Sequence, residues 1–118
     1  MRFTIDPSAA TPPFEQLRVQ VRDAVAAGEL VAGAKLPTVR ALAEQLGLAV
    51  NTVARAYREL EADGIIETRG RAGSFVAPQG DAGQRQAQLA ARAFVEQARR
   101  LGLDDAAALE LVRAAQRG

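Results

Sequence analysis

The stretch that most restricts how this chain can fold is residues 37–64, PTVRALAEQLGLAVNTVARAYRELEADG. Leu42 and Leu46 share one face of a short helix, and Gly47 ends it. Three residues separate it from a further helix, on which Val53, Ala56, Tyr57 and Leu60 recur at three- and four-residue steps. Thr38 stands where the first helix needs an N-cap. Two short helices joined by a glycine-containing turn form the helix-turn-helix pattern.

The flanks extend that pattern. Upstream, Phe14, Leu17, Val21 and Val25 predict another helix, with Thr11 as its cap, Pro12 and Pro13 in its first turn and Gly28 at its end. Before it, Arg2 to Ile5 is β-prone and Asp6-Pro7-Ser8 reads as a turn. Residues 28–37, GELVAGAKLP, read as a connector. Downstream, residues 65–68 and 74–76 read as two strands of a hairpin, with Arg69-Gly70-Arg71-Ala72-Gly73 as the loop. A linker over 78–83 precedes a fourth helix over 84–101. Asp104 or Asp105 then caps a fifth. The expected fold is mainly α with a small β-hairpin: a winged helix-turn-helix over 1–77, the linker over 78–83 and a two-helix dimerisation segment over 84–118.

Composition removes several functions. Neither cysteine nor histidine occurs, so disulfides, thiol chemistry, Ser-His or Cys-His catalytic pairs and a zinc site are excluded. With no phosphate-binding glycine loop and no clustered carboxylates, we expect neither an enzyme nor a cofactor or metal. No apolar run approaches the ~20 residues that span a bilayer. The start, MRFTIDPSAA, lacks a secretory pattern, which fits a cytoplasmic protein. Aromatics make up only 4%, so the core must come from Ala, Leu and Val. A net charge of +1 does not by itself point to nucleic acid; the distribution of charge matters more.

That distribution is suggestive. Asn51, Arg55 and Arg58 lie on the polar face of the third helix. A recognition helix needs one face on its own domain and one free for the major groove, where Asn pairs with adenine edges and Arg with guanine edges. Small Ala49 and Ala54 permit close approach, and Thr52 could donate to a phosphate. The plainer alternative is a surface helix whose Arg55 pairs with Glu59 one turn on. Arg40 follows the Thr38 cap by two residues and would face the DNA backbone or groove edge, with Thr38 as a secondary phosphate contact. Arg69 and Arg71 flank Gly70 at the wing tip, where arginine suits a narrow minor groove. Glu59, Glu61 and Asp63 gather at the far end of the third helix and leave a protein-docking module as a second reading.

Residues 12–77 resemble the DNA-binding domain of the GntR family of bacterial transcription regulators. The resemblance rests on Gly28-Glu29-Leu30, Gly33, Leu36-Pro37-Thr38, Arg40, Leu42-Ala43, Leu46-Gly47, Asn51-Thr52-Val53 and Glu61-Ala62-Asp63-Gly64-Ile65. It implies that Arg40 contacts DNA, that the recognition helix starts over Ala49 to Thr52, and that Gly70 is the wing glycine. Many members carry a polar residue at Ala49 and a polar or basic one at Val50, and some an arginine at Ala54. Base reading here would therefore lean on Asn51 and Arg55. The short tail resembles the YtrA-like subfamily, in which it serves dimerisation.

The tail's own pattern agrees. Leu89, Phe94, Leu101, Leu111 and Val112 need an apolar partner that two short helices cannot supply to each other. That partner is either the first helix of the same chain or a second copy. A homodimer would match a palindromic operator in double-stranded DNA, as expected of a regulator, most simply a repressor. An effector of unidentified chemistry would have room at such an interface, although no residue points to one.

Overall fold

A computed structural model describes residues 2–118. The chain divides into two compact units, the first ending at Gln79 and the second running Gly80–Gly118. Its helices are α1 (Pro13–Ala26), α2 (Val39–Leu46), α3 (Val50–Ala62), α4 (Ala82–Arg100) and α5 (Asp105–Arg117). Strands β1 (Ile66–Thr68) and β2 (Ser74–Val76) follow α3, with a 3-10 turn over Gly70–Ala72 between them. The hairpin is antiparallel, pairing Ile66 with Val76, Glu67 with Phe75 and Thr68 with Ser74.

Within the first unit, α1 and α2 both pack on α3. Val53, Ala56 and Leu60 are fully buried there, and they meet Leu17 and Val21 of α1, Leu42 of α2 and Ile66 and Val76 of the hairpin in one core. The apolar stripe of α3 thus fixes the orientation of its opposite face. Tyr57 adds a polar tie, since its hydroxyl donates to the Pro37 carbonyl at 2.6 Å. That bond links α3 to the residue just before the α2 cap.

Three local expectations are corrected. Pro12, not Thr11, occupies the N-cap of α1, and no side chain caps it. The Thr11 carbonyl instead accepts from Gln16 Nε2 at 2.7 Å. The β-prone N-terminal segment forms no strand, because its backbone is paired by glutamine side chains. Thr4 N donates to Gln20 Oε1 at 3.0 Å, and Gln20 Nε2 returns a bond to the Thr4 carbonyl at 2.7 Å. Gln16 does the same for Asp6, while Phe3 and Ile5 pack against the core. The 28–37 segment is more than a connector. Val76 N donates to the Ala34 carbonyl and Leu36 N to that of Ser74, each at 2.9 Å, so Lys35 sits opposite Phe75 on the edge of β2 away from β1.

The second unit is a helical pair. α4 starts at Ala82, inside the stretch expected to be linker, because Asp81 and Gln84 form a reciprocal capping box. Asp104, rather than Asp105, caps α5 by accepting from Ala107 N at 2.8 Å. Ala98 and Ala108 are buried between the two helices. Leu89, Phe94, Leu101, Leu109, Leu111 and Val112 are all exposed. No described helix is long and apolar enough to cross a membrane.

Candidate nucleic-acid interface

α2 begins in an ordered way. The Thr38 Oγ1 accepts from Ala41 N at 3.0 Å and so caps the helix, which leaves the hydroxyl proton free to donate. Arg40 is the second residue of α2 and is exposed. Gly47 closes the helix in the left-handed region, with φ of 67°. The turn then delivers α3, whose N-cap is Ala49. Alanine supplies no capping oxygen, so the first-turn amides of α3 lack the side-chain acceptor that α2 has.

On α3, burial of Val53, Ala56, Tyr57 and Leu60 turns Asn51, Arg55 and Arg58 outward, and all three are exposed. Thr52 is only partly exposed, near the α3 start. The exposed arginines are not equivalent. The Arg55 guanidinium lies over the Phe14 ring of α1, 3.7 Å from its centroid, and Arg55 Nε is 3.5 Å from Glu59 Oε1. Glu59 also approaches Arg18 of α1 at 3.8 Å, and Arg18 reaches Asp63 at 3.7 Å. Arg55 is thus the outer end of a charged seam between α1 and α3. Arg58 has no ion pair among the described residues.

The wing repeats this distinction. Arg69 lies over the Phe75 ring at 4.3 Å and pairs with Glu67 at 2.5 Å. Arg71, two residues on at the tip, is exposed and has neither contact among the described residues. Gly70 has φ of 53° and Gly73 of 108°, which lets the loop close over only three residues. A side chain at Gly73 would also meet Lys35 Cε at 3.2 Å. The wing is tied to α3 by Thr68 Oγ1 donating to Glu61 Oε2 at 3.1 Å.

Apart from Arg2 in the N-terminal segment, the arginines of the first unit that have no ion pair or ring contact among the described residues lie on the elements that a DNA-binding winged helix uses. Arg40 is on α2, Arg58 on α3 and Arg71 on the wing, and exposed Lys35 lies beside the wing. An unpaired arginine can meet a phosphate without first giving up a carboxylate, whereas Arg55 and Arg69 must leave theirs. Lys35 was not among the residues singled out from sequence. Only the pairing of residues 33–36 with β2 brings it to the wing, and no local motif signals that pairing. The acidic end of α3 is also less available than its sequence suggests, since Glu59 and Asp63 face Arg18.

A helix-turn-helix with a two-stranded wing and a basic outer face defines a DNA-binding transcription regulator of the winged-helix class. Comparison with known proteins agrees. Residues 13–76 match the family described as bacterial regulatory proteins, gntR family, and the chain belongs to that family. It is 54% identical over 99 residues to the HTH-type transcriptional regulator Rv1152 of Mycobacterium tuberculosis, covering 84% of this chain and 81% of that protein. It is 47% identical over 73 residues to the HTH-type transcriptional repressor YtrA of Bacillus subtilis, covering 61% of this chain and 55% of the relative. The structure resembles YtrA from Sulfolobus acidocaldarius, a GntR-family transcription factor, with a TM-score of 0.62 at 27% identity, over 98% of this chain and 97% of that one. The fold is shared with the AraR DNA-binding domain solved in complex with operator ORX1, with a TM-score of 0.54 at 22% identity, over 65% and 92% of the two chains.

Proposed function

We propose that this regulator acts as a homodimeric repressor that binds an inverted-repeat operator in the cytoplasm and catalyses no reaction. Residues 1–77 would bind DNA, and residues 84–118 would join the two copies. The observation that carries the DNA-binding part is that Arg40, Arg58 and Arg71, on α2, α3 and the wing, are exposed and unpartnered among the described residues. Asn51 offers the amide on that face suited to an adenine edge, with Thr52 behind it and Arg55 beside it. Thr38 acts first as a cap, while Arg69 and Gly70 shape the wing behind Arg71.

The dimer rests on the tail. Leu101 is 67% exposed and Leu111 50%, an apolar cost that a second copy would remove. A two-fold pair presents two α3 helices to successive major grooves, about 34 Å apart or a multiple of that. The sign of regulation is supported by the printed role of the Bacillus YtrA relative as a repressor. A dimer seated on a promoter needs no further surface to block polymerase.

Two measurements test this reading. Genome-wide mapping of the DNA bound by the protein should return an inverted repeat within a few promoters, with transcripts rising when the gene is deleted. Light scattering after size exclusion should give twice the monomer mass, and Leu101→Asp with Leu111→Asp should return the monomer. DNA fragments without a common repeat, or a monomeric parent, would refute the corresponding part.

A further inference from the structure

We infer that Val50 reads a thymine methyl group, so that each operator half-site carries a preferred thymine opposite the start of α3. The inference rests on the operator-binding reading above and specifies its chemistry.

Val50 is the first residue of α3 and is 44% exposed. It lies outside the core cluster, whereas Val53, three residues on, is completely buried in it. An exposed valine at the end of the helix that enters the major groove forms no part of the hydrophobic core. Its neighbours are equally apolar. Ala49 before it is exposed and makes no cap hydrogen bond, and Ala54 lies one turn along the same flank. Val50, Ala49 and Ala54 thus form a patch without a polar side-chain atom, bordered by Asn51 and Arg58 on the outward side.

The occupant follows from groove chemistry. Among the four bases only thymine presents an apolar group, its C5-methyl, in the major groove. A guanine or adenine edge against this patch would lose solvent hydrogen bonds without replacement. The unpartnered Arg40 and Arg58 hold polyanionic DNA against the same face, so the patch is covered when the helix docks. The isopropyl group of Val50 projects farther than the methyl side chains of Ala49 and Ala54, which set how closely the backbone approaches.

The test uses the full chain and an operator selected by the protein itself from random duplexes. Each thymine is replaced in turn by deoxyuridine, which removes the methyl and leaves pairing intact. One thymine per half-site should then prove sensitive, with affinity falling about four-fold per half-site for the loss of one buried methyl, and about fifteen-fold when both are changed. Val50→Ala should bind both duplexes alike and so abolish the difference. If the operator is bound but every deoxyuridine is neutral, or if the sensitivity persists in Val50→Ala, the thymine assignment is overturned while operator binding stands. If selection returns no preferred sequence, the operator reading fails and the inference with it.

Discussion

Arg69 and Arg71 lie two residues apart on one loop, yet replacing them should have different effects. Arg69 is held over Phe75 at 4.3 Å and by Glu67 at 2.5 Å. A partly exposed cation–π contact is worth about 0.5–1 kcal/mol. An exposed ion pair adds about 0.2–1 kcal/mol, weakened further by salt. To meet a phosphate, Arg69 must give up about 0.7–2 kcal/mol, roughly a three- to thirtyfold handicap against Arg71. Arg71→Ala should therefore weaken operator binding and lower the slope of log K against log salt by about 1 for each protomer. Arg69→Ala should leave the slope near that of the parent and lower the melting temperature instead, by roughly 4–8 °C for each kcal/mol lost. Fluorescence anisotropy on a labelled operator from 50 to 300 mM salt (about that range covers the decades of affinity at stake), with thermal melts alongside, separates the two. Equal loss of slope in both variants, with an unchanged melting temperature for Arg69→Ala, would show that the stacked arginine leaves its ring freely.

Other consequences follow from the same contacts. Arg55→Ala should destabilise the first unit by about 1 kcal/mol through loss of the Phe14 and Glu59 contacts; a chemical-denaturation midpoint equal to the parent's would mean that the α1–α3 seam contributes nothing. Burial pushes the Tyr57 phenol up to about 12 from an ordinary value of 10. The folded state holds that proton more tightly than the unfolded chain, so this contribution is complete below pH 10 and is lost as pH rises towards 12, by roughly 3 kcal/mol. Tyr57→Phe should flatten that part of the stability–pH curve; an unchanged curve would assign the alkaline loss to another group. Thr38→Ala removes the one side-chain cap in the helix-turn-helix and should cost ~1 kcal/mol, while Thr38→Ser should restore it.

How far the site was legible depended on the range of the interactions. The cap at Thr38, the stop at Gly47 and the outward turn of Asn51, Arg55 and Arg58 were readable because each follows from contacts within a few residues. The Arg55–Glu59 pair was also readable as an alternative, since four residues separate its partners. The Phe14 ring under Arg55 was not, because its position depends on how α1 crosses α3. In the sequence Phe14 read only as part of the helical spacing of α1; in the fold it is partly buried and lies under the arginine. Lys35 was passed over for the same reason, since a strand rung formed with a residue forty positions away leaves no local trace.

The tail shows the same division. Its helices and Asp caps follow from local spacing, but the start of α4 at Ala82 depended on the Asp81–Gln84 capping box, which overrode the glycine-rich look of the linker. By itself the sequence determined the order of elements, the winged helix-turn-helix pattern and the absence of any thiol or imidazole chemistry, because periodicity, caps and composition are local properties. The tertiary structure decided which cations remain unpartnered. That depends on rings and carboxylates brought from α1, β1 and β2, and it separates Arg40, Arg58 and Arg71 from the otherwise similar Arg55 and Arg69.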